Sequence, residues 1–454
     1  MFPRTTPHAC GSLVLAALLG AGCTGPQGEP GSAGVPGVPG DAGLACWDLD
    51  GSGGCDLDTE DVNQDGVCDA VDCQGGQGGS AGSGGTAGAG GGGGAAPETP
   101  YVGTEVCSLC HEDNLVELTL SGHPYALSQR LGLQAPARPY DSYTHGVPDP
   151  PLYTPWTEVS YVVGGYAWRA LYVQNDGYVL TGPSATDDTQ WDFANPELGT
   201  AGHWAPYQAG VQTPFDCGSC HSTGWIPCEI GDDACQHQDG MAGMAGSFFA
   251  AGVQCEACHG PGLEHASSPY YAKPVIDRSA EACGKCHSLG DAERIRAADG
   301  FIVSGQQYNQ LFAGKKRIMQ CVDCHDPHQS VMYADPDINP EGGLRSPCLN
   351  CHVGFDINQK SVEMLVQSVD CTDCHMPPMS KSAVGDLATL SADLPSHLFV
   401  INPQQGASQF YADGTDQYSE PYITLDYACH HCHGNDASDK TLAELEAMAT
   451  GYHQ

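Results

Sequence analysis

The sequence predicts a mostly irregular and α-helical fold with one small β-hairpin insertion, preceded by a disordered or extended stalk. Three observations support this prediction. The motif Cys-x-x-Cys-His occurs eight times after residue 98. Each occurrence has only roughly 45 residues of chain around it, which is too little for a conventional hydrophobic core. The chain of 454 residues also contains 60 Gly, and a high glycine content is typical of non-globular stretches.

Residues 1–23 predict an export signal. Arg4 precedes the apolar run LVLAALL (13–19), which is too short to span a membrane. Small residues then lead to Cys23, as in a bacterial lipoprotein signal, where that cysteine would carry the lipid anchor. Gly20 departs from the Leu that such signals prefer, so ordinary secretory cleavage is the alternative. We expect an outer-membrane or cell-surface lipoprotein, otherwise a periplasmic or extracellular protein.

A spacer follows the signal in residues 24–45, where Gly stands at every third position, as in GPQGEPGSAGVPG. This is the collagen pattern, in which only Gly fits at the axis of a triple helix. An extended polyproline-like spacer is the alternative to a short trimerisation unit. Residues 74–97 are nearly all Gly, Ser and Ala and predict a flexible linker.

Between these two segments, residues 46–73 repeat themselves with a shift of 13 residues. Each copy places oxygen ligands at loop positions 1, 3 and 5, Gly at 6 and an acid at 9, which is calcium-loop spacing. The segment resembles the short cysteine-bearing calcium repeats of extracellular proteins, and an acidic disordered linker is the alternative. Its four cysteines (Cys46, Cys55, Cys68, Cys73) predict two disulfides with three possible connectivities. The candidate Ca²⁺ ligands are Asp48, Asp50, Ser52, Asp56, Asp61, Asn63, Asp65, Asp69 and Asp72.

The domain from 98 to 454 carries the eight motifs. Their cysteine pairs are Cys107/Cys110, Cys217/Cys220, Cys255/Cys258, Cys283/Cys286, Cys321/Cys324, Cys348/Cys351, Cys371/Cys374 and Cys429/Cys432. Each pair is followed at once by a histidine: His111, His221, His259, His287, His325, His352, His375 and His433. We number the motifs 1 to 8 in this order.

Covalent haem explains every residue of the motif. Zinc would use the cysteines but would not require a His after each pair, and a thioredoxin-like redox pair normally occurs once, between a strand and a helix. Haem c takes two thioether bonds from the cysteines and a proximal iron ligand from the adjacent His. The sequence therefore predicts eight haems c that serve as the core of the domain. Of the other cysteines, Cys228 and Cys235 predict a disulfide across a short loop.

A low-spin haem needs a sixth ligand, commonly a second histidine. Ten histidines lie outside both the proximal set and the signal. Two of them, His430 and His431, lie inside motif 8 and are spares, while Met376 is a further axial option. A surface or propionate-bonding role is the alternative for each of the rest. The candidate distal ligands are His123, His145, His203, His237, His265, His328, His397 and His453.

A β insertion is expected at about 140–215, between motifs 1 and 2. The runs YAWRALYV and YVLTG flank the turn QNDG, whose Asp-Gly suits a tight reversal. At the other end of the domain, DKTLAELEAMATGYH has helical spacing and strong helix formers.

From residue 101 to 453 the chain resembles the multihaem cytochrome c superfamily. The matching stretches include GVQCEACHGPGLEH, CVDCHDPHQS, CTDCHMP and SHLF. The resemblance implies little regular secondary structure and haems stacked in a chain. It also implies that the distal ligands include His123, His265, His328, His397 and His453.

Two functions from different classes fit this resemblance, which covers both electron carriers and multihaem reductases or oxidases. The first is electron transfer along closely spaced haems, with redox proteins or extracellular acceptors as partners. The second is an oxidoreductase that acts on a small nitrogen or sulfur species at one open haem, although all eight motifs end in His rather than Lys. Self-assembly through His430 or His431 is a further possibility. The net charge of −39 argues against nucleic acid as a partner. It indicates a solvated acidic surface, and attraction of a cationic redox partner is the alternative.

Overall fold

The computed structural model describes residues 100–139, 146–332, 343–344, 346–354, 369–434, 440–450 and 452. All of them belong to the unit Cys46–Gln454. The expected signal, spacer, calcium repeat and linker lie outside the described residues, as do His145 and His453. The side chains of His430 and His431 also lie outside them.

The helices within the described residues are short, and none of these is long and apolar enough to cross a membrane. The α-helices are α1 (Thr104–Ser108), α2 (Glu112–Leu120), α3 (Gly218–His221), α4 (Cys255–His259), α5 (Leu263–Ser267), α6 (Ala280–Gly284), α7 (Gln307–Ala313), α8 (Cys371–His375), α9 (Leu425–His433) and α10 (Leu442–Ala449). Single 3₁₀ turns are His123–Tyr125, Trp156–Glu158, Gln238–Gly240, Cys321–Asp323 and Cys348–Asn350.

The hairpin expected between motifs 1 and 2 is part of a larger sheet. Its strands are β1 (Leu127–Gln129), β2 (Val159–Gly164), β3 (Arg169–Gln174), β4 (Tyr178–Val179), β5 (Asp188–Asp192), β6 (His203–Pro206) and β7 (Thr213–Pro214). The order is β1-β2-β3-β4-β7, with β5 paired to β3 and β6, and every pairing is antiparallel. Gly177 turns β3 into β4 at φ +87°, a conformation that favours Gly.

This sheet buries apolar side chains on both faces, because successive residues of a strand point to opposite sides. On β3, Leu171 and Val173 join a cluster with Phe215 and Met244. The intervening Tyr172 joins a second cluster on the opposite face, with Trp156 and Phe193 among others. Cys217 of motif 2 packs against the first cluster, so the sheet positions this motif.

A second sheet corrects the expected fold class, which had only one small β element. Two ribbons precede it: β8 (Ser222–Thr223) pairs with β11 (Ala250–Ala251), and β9 (Ile226–Pro227) with β10 (Gly246–Ser247). The sheet itself has the order β15-β14-β13-β12-β18-β17. Its strands are β12 (Ile295–Ala298), β13 (Phe301–Val303), β14 (Ser380–Asp386), β15 (Ser391–Leu394), β17 (Phe410–Asp413) and β18 (Asp416–Ser419), and β16 (Ile401–Asn402) pairs separately with β19 (Ile423–Thr424).

The second sheet has an apolar core of its own. Phe301, Ile302 and Met379 are almost fully buried in it, and Cys429 of motif 8 packs against the same cluster. Sequence patterns missed this sheet because its strands are short and β13 pairs in parallel with β14, although motifs 5, 6 and 7 lie between them in the chain. The domain therefore has apolar side-chain clusters in its core, in addition to the haems that the sequence predicts.

Candidate haem-binding sites

Each motif forms one tight helical turn that directs its cysteines and histidine to a common side. In motif 1 the backbone N–H of His111 donates to the Cys107 carbonyl at 3.0 Å. The same bond closes motifs 2, 4, 5 and 6, at 2.9 to 3.1 Å. Motifs 3, 7 and 8 lie in α4, α8 and α9. A turn of this kind can present two thiols and one imidazole to a single flat cofactor.

The second cysteine of several motifs lies near the surface of the polypeptide. Cys110, Cys351 and Cys432 are exposed, and Cys374 is only half-buried. By contrast Cys429, the first cysteine of motif 8, packs against the apolar cluster of the second sheet. The thioether bonds of these cysteines to haem stay predictions.

Four of the motif histidines face a second histidine that is distant in sequence. The ring centres are 6.1 to 6.4 Å apart, and the planes range from nearly parallel to perpendicular. The pairs are His111 with His265, His123 with His287, His259 with His328, and His325 with His397. Each pair joins one expected proximal ligand to one expected distal ligand.

The spacing of these rings fits an iron between them. A ligating imidazole nitrogen lies about 2 Å from a metal such as zinc or iron and about 1 Å from its own ring centre. Two rings on opposite sides of one iron would therefore have centres roughly 6 Å apart, which is the separation observed. His328 faces the histidine of motif 3 rather than that of motif 5, which it follows in sequence.

Several motif histidines, and one histidine that faces a motif, contact backbone carbonyls through Nδ1. This contact leaves Nε2 available for a metal. Nδ1 of His221 lies 2.8 Å from the Ala126 oxygen, and Nδ1 of His375 lies 2.7 Å from the Phe399 oxygen. His259 and His265 make the same contact with nearby carbonyls, at 3.2 and 2.9 Å. Metal-binding histidines are commonly oriented in this way.

The histidine of motif 6 has a different neighbour. His352 is exposed, and its Nε2 lies 3.3 Å from Nζ of Lys316. This contact uses the nitrogen that the other motif rings leave available. Ligation of iron by His352 would therefore require the flexible side chain of Lys316 to turn towards solvent.

Burial favours the neutral, metal-binding form of three of the paired rings. It lowers the pKa of His123 to about 4, with further lowering by His287, and lowers the pKa of His397 to about 4, with further lowering by His325. The pKa of His325 also falls below its usual value, again mainly through burial. Neutral imidazole is the form that ligates iron.

The motifs form one contiguous series. Helix α1 of motif 1 contacts α4 of motif 3, α6 of motif 4 contacts the Cys321–Asp323 turn of motif 5, and α8 of motif 7 contacts α9 of motif 8. Sγ of Cys286 lies 3.7 Å from the Ser219 oxygen, which places motif 2 beside motif 4.

Electrostatic interactions between cysteine thiols show which of the remaining motifs are neighbours. Burial raises the pKa of Cys258, and the charge of Cys283 raises it further, so motif 3 adjoins motif 4. Burial likewise raises the pKa of Cys324 and of Cys371, each with a further contribution from Cys348. Motif 6 therefore lies between motifs 5 and 7, and the spatial order is 1-3-4-5-6-7-8, with motif 2 attached at motif 4.

Two expected distal ligands lie elsewhere. His203 is on β6, with half of its side chain exposed, and its Nε2 is 3.8 Å from a carboxylate oxygen of Asp192. Nδ1 of His237 is 2.6 Å from the Met244 oxygen, beside the disulfide that Cys228 and Cys235 form as expected. Neither ring faces a motif histidine among the ring contacts of the described residues. Met376 caps the end of α8.

Sequence reasoning missed one buried residue of motif 3, Glu256. Its side chain is only 5% exposed and accepts three backbone hydrogen bonds. The two residues between the cysteines vary freely in the motif, so spacing gave no signal for it.

The fold and the motif series define the class: this chain has the fold of a multihaem c-type cytochrome. The octaheme sulfite reductase MccA (form II) of Wolinella succinogenes is similar in structure, with a TM-score of 0.50 and 17% identity over 73% of this chain. The match spans 65% of that chain. No protein-family model and no curated protein sequence matches this chain.

Two further solved structures are similar over much of the chain. The outer cell wall cytochrome OcwA has a TM-score of 0.45 and 19% identity, with 78% of this chain and 87% of that one covered. An undecaheme cytochrome from the S-layer of Carboxydothermus ferrireducens has a TM-score of 0.37 and 18% identity, with 62% and 52% covered.

Proposed function

We propose that this protein conducts electrons through eight covalently bound c-type haems. The observation that carries the proposal is the contiguous series of motifs, four of which have a second imidazole at the spacing of a six-coordinate iron. A six-coordinate iron exchanges electrons without binding a substrate. A series of adjacent haems provides short steps between them.

Each part of the motif has a separate task in this function. The two cysteines hold the haem covalently, the following His is the proximal ligand, and His123, His265, His328 and His397 are the distal ligands of motifs 4, 1, 3 and 5. The bound haem supplies a one-electron couple between ferric and ferrous iron. The chain fixes the orientation of rings such as His259 and His265 through backbone carbonyls.

The predicted N-terminal segments support a location at the cell surface. A lipid on Cys23 would anchor the chain, and residues 24–97 would hold the haem domain away from the membrane, with Ca²⁺ stiffening the repeat at 46–73. The partners in this proposal are a redox protein and an extracellular acceptor. Substitution Cys23→Ala tests the anchor: the protein should move from the membrane fraction to the soluble one, and continued membrane association would contradict it.

The main test is the spin state of the oxidised protein, read by low-temperature EPR and electronic absorption. Electron transfer alone predicts low-spin signals that do not change when nitrite, hydroxylamine, sulfite or cyanide is added. A high-spin signal worth about one haem in eight, shifting with one of these ligands, would contradict it.

That second outcome would favour a different function, an oxidoreductase acting on a small nitrogen or sulfur species. One observation favours this candidate. Among the described ring contacts, His221 in motif 2 and His433 in motif 8 face no second imidazole, whereas four other motif rings do. An open iron at one of these two motifs would bind the substrate there, and turnover assays with nitrite, hydroxylamine and sulfite would follow.

A further inference from the structure

Glu256 connects motifs 1 and 3 through a buried carboxylate. Its Oε1 accepts hydrogen bonds from the N–H groups of Val102 at 3.0 Å and Gly262 at 2.7 Å. Its Oε2 accepts one from the N–H of Gly103 at 2.8 Å. Val102 and Gly103 come just before α1, and Glu256 is the second residue of motif 3. The side chain thus spans the contact between the two motifs.

The three donors define the state of this side chain. An ionised carboxylate offers only acceptors, and N–H groups that donate to a charged oxygen make strong bonds. All three partners here are N–H donors, and they occupy both oxygens. The hydroxyl of Thr104 adds a neighbouring link by donating to the Gln254 oxygen at 3.0 Å. The geometry therefore holds a negative charge, away from water, between motifs 1 and 3.

We propose that Glu256 sets the reduction potential of the haems at motifs 1 and 3. Its fixed negative charge favours ferric over ferrous iron and so lowers both potentials. The inference rests on the proposed binding of haem at these motifs. A buried charge acts through a medium of low dielectric constant, whereas surface carboxylates are screened by water and salt.

The charge of Glu256 also acts on one thiol of the neighbouring motif, that of Cys107. The pKa of Cys107 is raised above its usual value by the hydrogen bond with Cys255, then by burial, and also by the charge of Glu256. Motifs 1 and 3 lie at one end of the series, so lower potentials there would influence the direction of electron transfer. The charge of Glu256 would therefore bias an electron to move from motifs 1 and 3 towards motif 4.

Spectropotentiometric titration of the full-length holoprotein tests this inference. Glu256→Gln removes the charge and keeps the size of the side chain. We expect about a tenfold change in the reduction equilibrium of one or two of the eight haems, which is a shift of about 59 mV to more positive potential for a one-electron couple. Glu256→Asp keeps the charge and should keep the wild-type potentials for these haems.

Two matched controls remove exposed charges close to the same motifs. Glu105 lies in α1 and Glu264 lies in α5, and both are exposed. Glu105→Gln and Glu264→Gln should leave the titration unchanged, because solvent screens these carboxylates.

Three outcomes would overturn the role of Glu256. The first is an unchanged titration in E256Q with all eight haems bound. The second is the same shift in E256D as in E256Q, which would indicate a structural change rather than a loss of charge. The third is loss of haem at motifs 1 and 3 in E256Q but not in E256D, which would assign Glu256 to assembly. Peptide mass spectrometry of the wild type separates these from failure of the proposed function, since unmodified Cys107 or Cys255 would show that haem is not bound there.

Discussion

At the residue scale, the paired imidazoles are the central feature of the molecule. His259 and His328 are the most parallel pair, with ring planes 8° apart and centres separated by 6.2 Å. His328 sits half-buried beside Asp326, whose carboxylate oxygen is 3.2 Å from Nδ1 of His328. This contact orients the ring so that Nε2 remains available to the iron.

We predict that His328→Ala opens one iron coordination position. About one haem in eight should change from low spin to high spin, because alanine cannot replace the sixth ligand. Low-temperature EPR of the oxidised protein measures this fraction. His203→Ala is the matched control and should leave the spectrum low-spin, because His203 is exposed on β6 and contacts Asp192. An unchanged spectrum in H328A would remove His328 from the set of ligands.

At the scale of elements, tight turns determine how the sheets support the motifs. The β3–β4 turn brings Gly177 against the loop that carries Met244, and Phe215 donates its N–H to the Gly177 carbonyl at 3.3 Å. Phe215 lies just before motif 2. The same turn therefore fixes both the hairpin and the approach to Cys217.

Gly177→Ala should destabilise this sheet by more than backbone strain alone. An added Cβ would lie 2.6 Å from the backbone nitrogen of Met244, and φ at this position is +87°. The left-handed conformation costs roughly 1–2 kcal/mol for alanine, to which the clash adds. Gly199→Ala is the control, since φ is +65° there but no atom lies within 4 Å of the Cβ. Thermal unfolding followed by circular dichroism compares the two variants, and equal losses would show that the loop moves freely away.

At the scale of the whole molecule, the net negative charge influences which redox partners approach the protein. The chain has 16 Lys and Arg against 55 Asp and Glu. A field of this sign attracts cations and repels anions until salt screens it. Electrons should therefore enter more readily from a cationic donor.

We predict opposite salt dependences for small redox mediators of opposite charge. The rate of reduction by a cationic mediator should fall by about tenfold or more when ionic strength rises from about 0.01 M to 1 M, while the rate with an anionic mediator should rise. Stopped-flow absorption at the haem bands measures both rates, and a neutral mediator serves as the control. Insensitivity to salt with both charged mediators would mean that electrons enter at a locally neutral surface.

The sequence by itself predicts the haem-binding chemistry. Thioether attachment and proximal ligation need residues that are adjacent in the chain, so Cys321, Cys324 and His325 can be recognised from their spacing. The β3–β4 hairpin could also be predicted, because a two-strand turn is a local structure with its own residue preferences. The Cys228–Cys235 loop disulfide is local in the same sense.

Only the tertiary structure decided what lies far apart in the chain. It brought His328 opposite His259 while leaving His203 on a distant strand, although both had qualified as candidates. It joined β13 to β14 across three intervening motifs, and it placed Glu256 against Val102, 154 residues away. Patterns of spacing report local geometry, whereas these contacts depend on how the whole chain packs. The sequence therefore predicts the covalent chemistry of each motif, whereas the residues that face each motif follow only from the tertiary structure.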